Sequence, residues 1–188
     1  MENQVDLKKI MKEKAEAVMS IVTEIGCLED AFRYAVNITQ KQGGAVLAAP
    51  GLGPNNSAAV PLLKSLCEEK GIALVTENLR SRIGKLHTGF TIADYGIAET
   101  ATLVQDSGSE DLRIATMLSE IHVAVLPVSR IKPDAMVLGN ELKDMMKPPP
   151  SYVAFISGAS RTADIERVLT IGVHGPQELH ILILNDDF

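Results

Sequence analysis

Tryptophan is absent from this 188-residue chain, and aromatic residues together make up only 4% of it. Its core must therefore be mostly aliphatic, and 46% hydrophobic residues suffice for a sizeable core without covalent staples. Cysteine is nearly absent too. Cys27 and Cys67 stand alone without CxxC spacing, so they cannot hold an iron–sulfur cluster, which takes four such ligands. Both fall in helical patterns and read as small buried hydrophobes. No HExxH and no His/Cys/carboxylate cluster is present, so no metal is expected. The absence of a flavin motif and of a dinucleotide fingerprint likewise predicts no cofactor. There is no basic excess: the net charge is -6 and no Lys/Arg run occurs, which argues against nucleic acid as a partner. No uncharged apolar run approaches a membrane span. The opening "MENQVDLKKIMKEKAEAV" lacks the apolar region of a secretory signal. The reading is a cytoplasmic protein with no membrane contact.

What the sequence does have is alternation. Leu7, Ile10, Met11, Val18, Ile21, Val22 and Ile25 recur at three- and four-residue steps and predict one amphipathic helix ended by Gly26. A second helix carries Leu28, Ala31, Phe32, Ala35 and Ile38 and stops at Gly43-Gly44. Residues 1–43 thus read as a helical extension, and 44–188 as an α/β domain. Strands are expected at "AVLAAP", "IALVT", Tyr95 to Ala98, Ala101 to Gln105, "IHVAVLPVS" and "ELHILIL". Helices are expected after Ser57, at "DLRIATML", and at "KPDAMVLGNELKDMMK" with Pro133 in its first turn. Near-continuous apolar strands alternating with helices predict a Rossmann-like, mostly parallel sheet with helices on both faces.

Two segments carry candidate chemistry. In "FISGASRTADIERVLTIGVHGPQELHILIL" the pattern predicts a strand to Ser157, a turn at Gly158, and a helix capped by Thr162. Asp164 and Glu166 suit the positive helix end. Arg161 does not, and a bound anion would relieve that conflict. Ser157, Ser160, Arg161 and the free amides would hold a small carboxylate or phosphate. His174, between glycines in "GVHGP", would approach from the second turn. The bland alternative is a capped helix start and a solvated histidine. His180 alternates within its strand and reads as packed, while His87 and His122 show no pattern. In "GIAETATLV", Glu99 and Thr100 interrupt an apolar run. A carboxylate there is either a nucleophile or base, or the structural ion-pair partner of Arg113. The loop "GLGPNNS" lacks both the third glycine of GxGxxG and the lysine of a P-loop, so it is a weak nucleotide signal.

These same residues resemble the LUD-domain (lactate-utilisation) family, in its branch of small subunits without iron–sulfur motifs. Ser157, Gly158, Ser160, Thr162, Ala163, Asp164, Ile165 and Glu166 match one family stretch, and Gly172, Val173, His174, Gly175 and Pro176 match the next. "DYGIAETATLVQDSG" and "DLRIATMLSEIHVAVLPVSRI" are similar to its central strands and Arg-containing helix. The resemblance is specific over residues 88 to 188. Ala101 replaces the family's usual glycine, Ala159 a common proline, and Ser119 another. The expectation is that Ala101 narrows the space beside Glu99. The resemblance implies a fold like the NagB/RpiA/CoA-transferase group. It also implies a non-redox accessory subunit of an iron–sulfur L-lactate-oxidising complex, converting lactate to pyruvate, with partner subunits that carry the clusters. The alternative it leaves open is a stand-alone enzyme of CoA-transferase or sugar-phosphate-isomerase type using Glu99. Whether the chain forms a homo-oligomer is also left open.

Overall fold

The computed structural model describes residues 2–52, 59–147, 151–160, 163–165, 168–170 and 175–185. In chain order the strands are β1 (Ile21–Ile25), β2 (Val46–Ala48), β3 (Ala73–Val75), β4 (Thr88–Ile92), β5 (Tyr95–Ile97), β6 (Thr102–Asp106), β7 (Ile121–Pro127), β8 (Ile131–Lys132), β9 (Val153–Ser157), β10 (Ala163–Ile165), β11 (Val168–Thr170) and β12 (Glu178–Leu184). The helices are α1 (Glu2–Ala17), α2 (Leu28–Lys41), α3 (Ala59–Glu69), α4 (Glu110–Leu118) and α5 (Gly139–Met145).

Six strands form one parallel sheet in the order β1-β12-β7-β4-β2-β3. This is the mostly parallel α/β architecture the alternation predicts. Every residue of β7 is buried, as a strand covered on both faces requires. On one face α2 and α3 pack Phe32, Leu63 and Cys67 against Phe90, Val123 and Leu182. Burial pushes the Cys67 thiol up to about 11, so it is a buried hydrophobe as read. On the other face lie Leu7, Met11 and Ala15 of α1, together with Leu103 and Ile131. The last two belong to a second sheet of order β8-β5-β6-β9. The tightest contact between layers is at Gly89 of β4. A Cβ there would lie 2.1 Å from the Ala115 carbonyl oxygen and 2.7 Å from Ser119 Oγ, so only glycine lets α4 approach this strand.

Four expectations fail. Ile21–Ile25 is a strand, not the end of a helix. Its apolar spacing fits both periods, but the β-branched Ile-Val-Thr favours extended backbone, and Met19 (φ 60) breaks the helix beforehand. Because β1 pairs with β12, the boundary drawn at residue 43 cuts through one continuous sheet. Cys27 is exposed. It starts α2, where Asp30 accepts the Gly26 and Cys27 amides. Third, α5 begins at Gly139, six residues after Pro133. Fourth, the helix expected from Thr162 is replaced by an antiparallel pair, with Ala163 opposite Thr170 and Ile165 opposite Val168. The segment is rich in β-branched residues (Thr162, Ile165, Val168, Thr170), and they outweigh its helical start signals. Ser57, expected to cap α3, lies outside the described residues.

Candidate functional site

In the second sheet β6 runs antiparallel to both β5 and β9, while β8 is parallel to β5, and these reversals decide where the predicted residues lie. β5 descends from the carboxyl end of β4, turns at residues 98–101, and returns as β6. β9 descends beside β6, with Thr102 opposite Ser157 and Asp106 opposite Val153. Ser157 does stand at a strand's carboxyl end. That end, however, points to the amino-terminal edge of the main sheet, where Pro176 and Gln177 enter β12.

At this edge the structure brings Ser157, Gly158 and Ser160 together. They line a groove of about 400 Å³ with Thr116 and Met117 of α4, Phe155, and Pro176. Gly158 is required by its backbone, φ +74, and by the Val18 carbonyl oxygen 3.0 Å from where a Cβ would sit. The Ser160 amide donates to the Pro176 carbonyl at 2.8 Å. That bond draws Ser160 and Gly175 together, so the chain leaves and re-enters the groove at neighbouring points. Arg161, Thr162 and His174 lie outside the described residues. In sequence they adjoin those two points. With Ala163–Ile165 in a strand, the idea of helix-terminal amides facing an anion loses its basis.

Hydroxyls supply what the helix does not. Thr100 Oγ1 is 2.7 Å from Thr102 Oγ1, which is 2.6 Å from Ser157 Oγ. Three hydroxyls in series can align their protons in one direction, each strengthening the next. Pointed toward Ser157, the series presents a polarised donor to the groove. Thr102, nearly buried, is its hub, and it was missed because threonine in a strand carries no sequence signal of its own.

Glu99 and Arg113 do not meet. They sit at opposite ends of β6. Arg113 donates to the Ser107 and Gly108 carbonyls and lies 5.1 Å from the Tyr152 ring centroid. Glu99 is exposed in the β5–β6 turn, its amide bonded to the Pro133 carbonyl at 3.1 Å. It shares a groove of about 360 Å³ with Lys14 and Asp134. Ala101 adopts φ 51, a conformation glycine favours. Its methyl is fully buried in the core below the turn, so it does not narrow any space beside Glu99.

Three histidines are buried near this same edge. His180 is packed, as its alternation predicts. Its Nδ1 is 2.7 Å from Tyr34 Oη and its Nε2 2.7 Å from Glu178 Oε2. The carboxylate fixes the proton on Nε2, and the tyrosine then donates to Nδ1. His87 Nδ1 lies 3.0 Å from Thr88 Oγ1. His122 Nε2 meets Thr91 Oγ1 at 2.8 Å. Burial, reinforced by the neighbouring His180, holds the His122 imidazole down to about 4. At the opposite edge a smaller cleft is lined by Asp94, Gln105 and Asp106. None of these stood out in the sequence, since each is an ordinary polar residue at a strand end.

The model of the LUD domain family matches residues 7–184. Lactate utilization protein C of Exiguobacterium sp. is 37% identical over 101 residues, covering 52% of this chain and 44% of that protein. Lactate utilization protein C of Bacillus velezensis is 29% identical over 175 residues, covering 88% of this chain and 72% of its own. Among solved structures, a DUF162 family protein from Deinococcus radiodurans aligns with a TM-score of 0.63 at 12% identity, covering 97% of this chain and 98% of that one. That likeness is one of fold. The chain spans about half the length of the first curated relatives it matches.

Proposed function

Because the chain belongs to the LUD domain family, we propose that it serves lactate utilisation, as a non-redox subunit that binds a small carboxylate or phosphate. Its partners in this reading are the iron–sulfur subunits of a complex that oxidises lactate to pyruvate. The relatives named lactate utilization protein C support the pathway. The hydroxyl series Thr100–Thr102–Ser157 is the observation that carries the ligand class. Among the described residues the series meets no further side-chain acceptor beyond Ser157, which suits an anion, and charge-assisted hydrogen bonds are the stronger kind. In this reading Gly158 lets the chain pass close to Val18, Ser160 adds a hydroxyl, and Arg161, Thr162 and His174 are further ligand-binding residues proposed from the sequence.

The test is a titration of the purified protein with L-lactate, pyruvate and inorganic phosphate, followed through the Ser157 and Ser160 amide signals. Arg161→Ala is expected to weaken binding tenfold or more, about 1.4 kcal/mol, with an unchanged melting temperature. If the variant binds as well as the parent, the anion site does not exist. For the partners, a tagged chain is expected to co-purify with iron–sulfur proteins from cells grown on lactate. Recovery of the chain alone would remove that part of the reading.

A second reading is an enzyme acting on a thioester or phosphate ester through Glu99. It rests on the groove Glu99 shares with Lys14, where a cation stands near an exposed carboxylate. Hydrolysis or transfer that vanishes in Glu99→Gln would establish it, and inactivity of the parent on both ester classes would dismiss it.

A further inference from the structure

The cleft at the carboxyl edge of the main sheet has a position dictated by the chain path. From β2 the chain passes through α3 outward to β3. From β4 it passes through α4 the other way, to β7. The two connections diverge, and a crevice opens between the carboxyl ends of β2 and β4. In open parallel sheets that switch point is where ligands bind. Here it holds a cleft of about 290 Å³, bounded by Pro50 and Gly51 after β2, Asp94 after β4, Gln105 and Asp106 at the end of β6, and Leu112 in α4. The volume lies just under the usual range for small-molecule sites, about 300–1,000 Å³.

The two carboxylates here are acceptors, while Gln105 and the Ser109 hydroxyl can both donate and accept. Gln105 is 5% exposed. Its amide nitrogen donates to Asp94 Oδ2 at 3.2 Å, leaving its oxygen as an acceptor. The Asp106 amide donates to the same Asp94 oxygen at 2.6 Å. Asp94 Oδ1 is then the oxygen a ligand would use. Asp106 Oδ1 accepts the Gly108 amide at 2.9 Å, which orients its other oxygen. Burial pushes the Asp94 carboxyl above the usual carboxylate range, and the charge of Asp106 adds to this against the Asp106 amide bond and Arg130. A carboxylate short of solvation gains from any donor that reaches it.

Two features select among donors. The carboxylates repel an anion. A bare cation is also poorly served, because guanidinium groups already stand close by: Arg130 bonds the Ala93 carbonyl at 3.2 Å, and Arg113 bonds Ser107 and Gly108. Pro50, Ile92 and Leu112 supply an apolar wall, and Gly51, Gly108 and Ser109 complete the lining. An uncharged molecule with adjacent hydroxyls and a C–H face fits both halves. We propose that this cleft binds a vicinal diol on a sugar ring, whether of a free sugar or of a nucleoside, with the hydroxyls on Asp94 and Asp106 and the ring against Leu112. This site is separate from the anion groove and takes an uncharged ligand where the groove takes an anion.

The experiment is a titration of the intact chain with D-ribose, adenosine and 2′,3′-dideoxyadenosine, followed by the amide signals of Gly51, Asp106 and Gly108. Adenosine or ribose is expected to shift these signals and leave Ser157 and Ser160 unmoved. Comparable binding by ribose and adenosine identifies a free sugar, and tighter binding by adenosine identifies a nucleoside. Loss of both hydroxyls in the dideoxy compound is expected to weaken binding at least tenfold. So is Asp94→Asn, and so is Asp106→Asn, whose exposed side chain leaves the fold less at risk. Equal binding of the dideoxy compound overturns the proposal. So does an absence of shifts at about 10 mM ligand, far weaker than the micromolar affinities of ordinary sites. Binding of lactate or phosphate at Ser157 would neither support nor weaken it, which keeps the two readings separable.

Discussion

The two edges of the main sheet are built from opposite chemistry. The carboxyl edge ends in two carboxylates, Asp94 and Asp106, with Gln105 bonded to the first. The amino edge carries the Thr100–Thr102–Ser157 hydroxyls and three buried histidines. One helix joins them. α4 contributes Leu112 to the upper cleft and Thr116 and Met117 to the lower groove. The second sheet makes this division possible, since its antiparallel strands carry residues from one edge to the other within a few positions. Glu99 and Arg113, separated by a single strand and a turn, end up serving different edges. Proximity in sequence therefore says little here about which side chains share a site.

The sharpest way to break the comparison is to dislodge the shared helix. Gly89→Ala would force a methyl into the backbone of α4. A loss of at least about 3 kcal/mol is expected, near 10 °C in melting temperature for a chain of this size, or failure to fold. A variant that melts within a degree or two of the parent would mean that α4 can move freely, and that the edges are not tied through it.

Acid separates the edges next. The unfolded chain protonates His122 near its ordinary value of 6.5, whereas the folded chain does so only near 4. Between those values the unfolded state binds more protons, so stability falls as pH drops, by up to about 3 kcal/mol. Asp94 works the other way. Its folded carboxyl is raised from 3.8, so its contribution is most favourable in acid and declines as pH rises above that value. Melting scans from pH 7.5 to 4.5 are expected to slope downward in the parent and to flatten in His122→Gln. Imidazole signals that titrate near 6.5 in the folded protein would contradict the burial account.

Asp94→Asn sharpens the same contrast with a smaller effect. The amide oxygen can still accept the Asp106 N–H, and a charge short of solvation is gone. Stability at pH 7 is expected to hold or rise by about 1 kcal/mol. A loss of several kcal/mol would show that the carboxylate is held by a firm ion pair. Smallest of all is Glu99→Gln, expected to lie within about 0.5 kcal/mol of the parent. A larger loss would mean that Glu99 anchors its turn in spite of its exposure.

Much of the fold was legible in the sequence, for reasons visible in single elements. β7 and β12 are apolar runs too short for helices, and α4 starts at Ser109 with Glu110 and Asp111 behind it. Less was legible where two periods coincide. Val18, Ile21, Val22 and Ile25 satisfy helical steps, and only their β-branching hinted at β1. The segment after Ser160 combined a capping threonine and acids with strand-forming residues, and the composition decided against the caps. As for the site, Ser157, Gly158 and Ser160 do gather in one groove. Thr102 joins them through a register between β6 and β9 that no local pattern encodes. The switch-point cleft is a property of topology, formed by residues from β2, β4, β6 and α4, and no stretch of sequence displays it.

The pairing of β1 with β12 has a bearing on how the chain is made. β12 lies between β1 and β7, and it hydrogen-bonds to both along most of its length. During synthesis β1 leaves the ribosome well before β12, the neighbour it pairs with. During that interval α1 and α2 bracket a short, β-branched ribbon with open edges, a target for mispairing or for a holding chaperone. The six-strand sheet therefore cannot be completed progressively. Its closing event is the insertion of one strand between two waiting neighbours, and slow contacts of this long range are what limit folding rates.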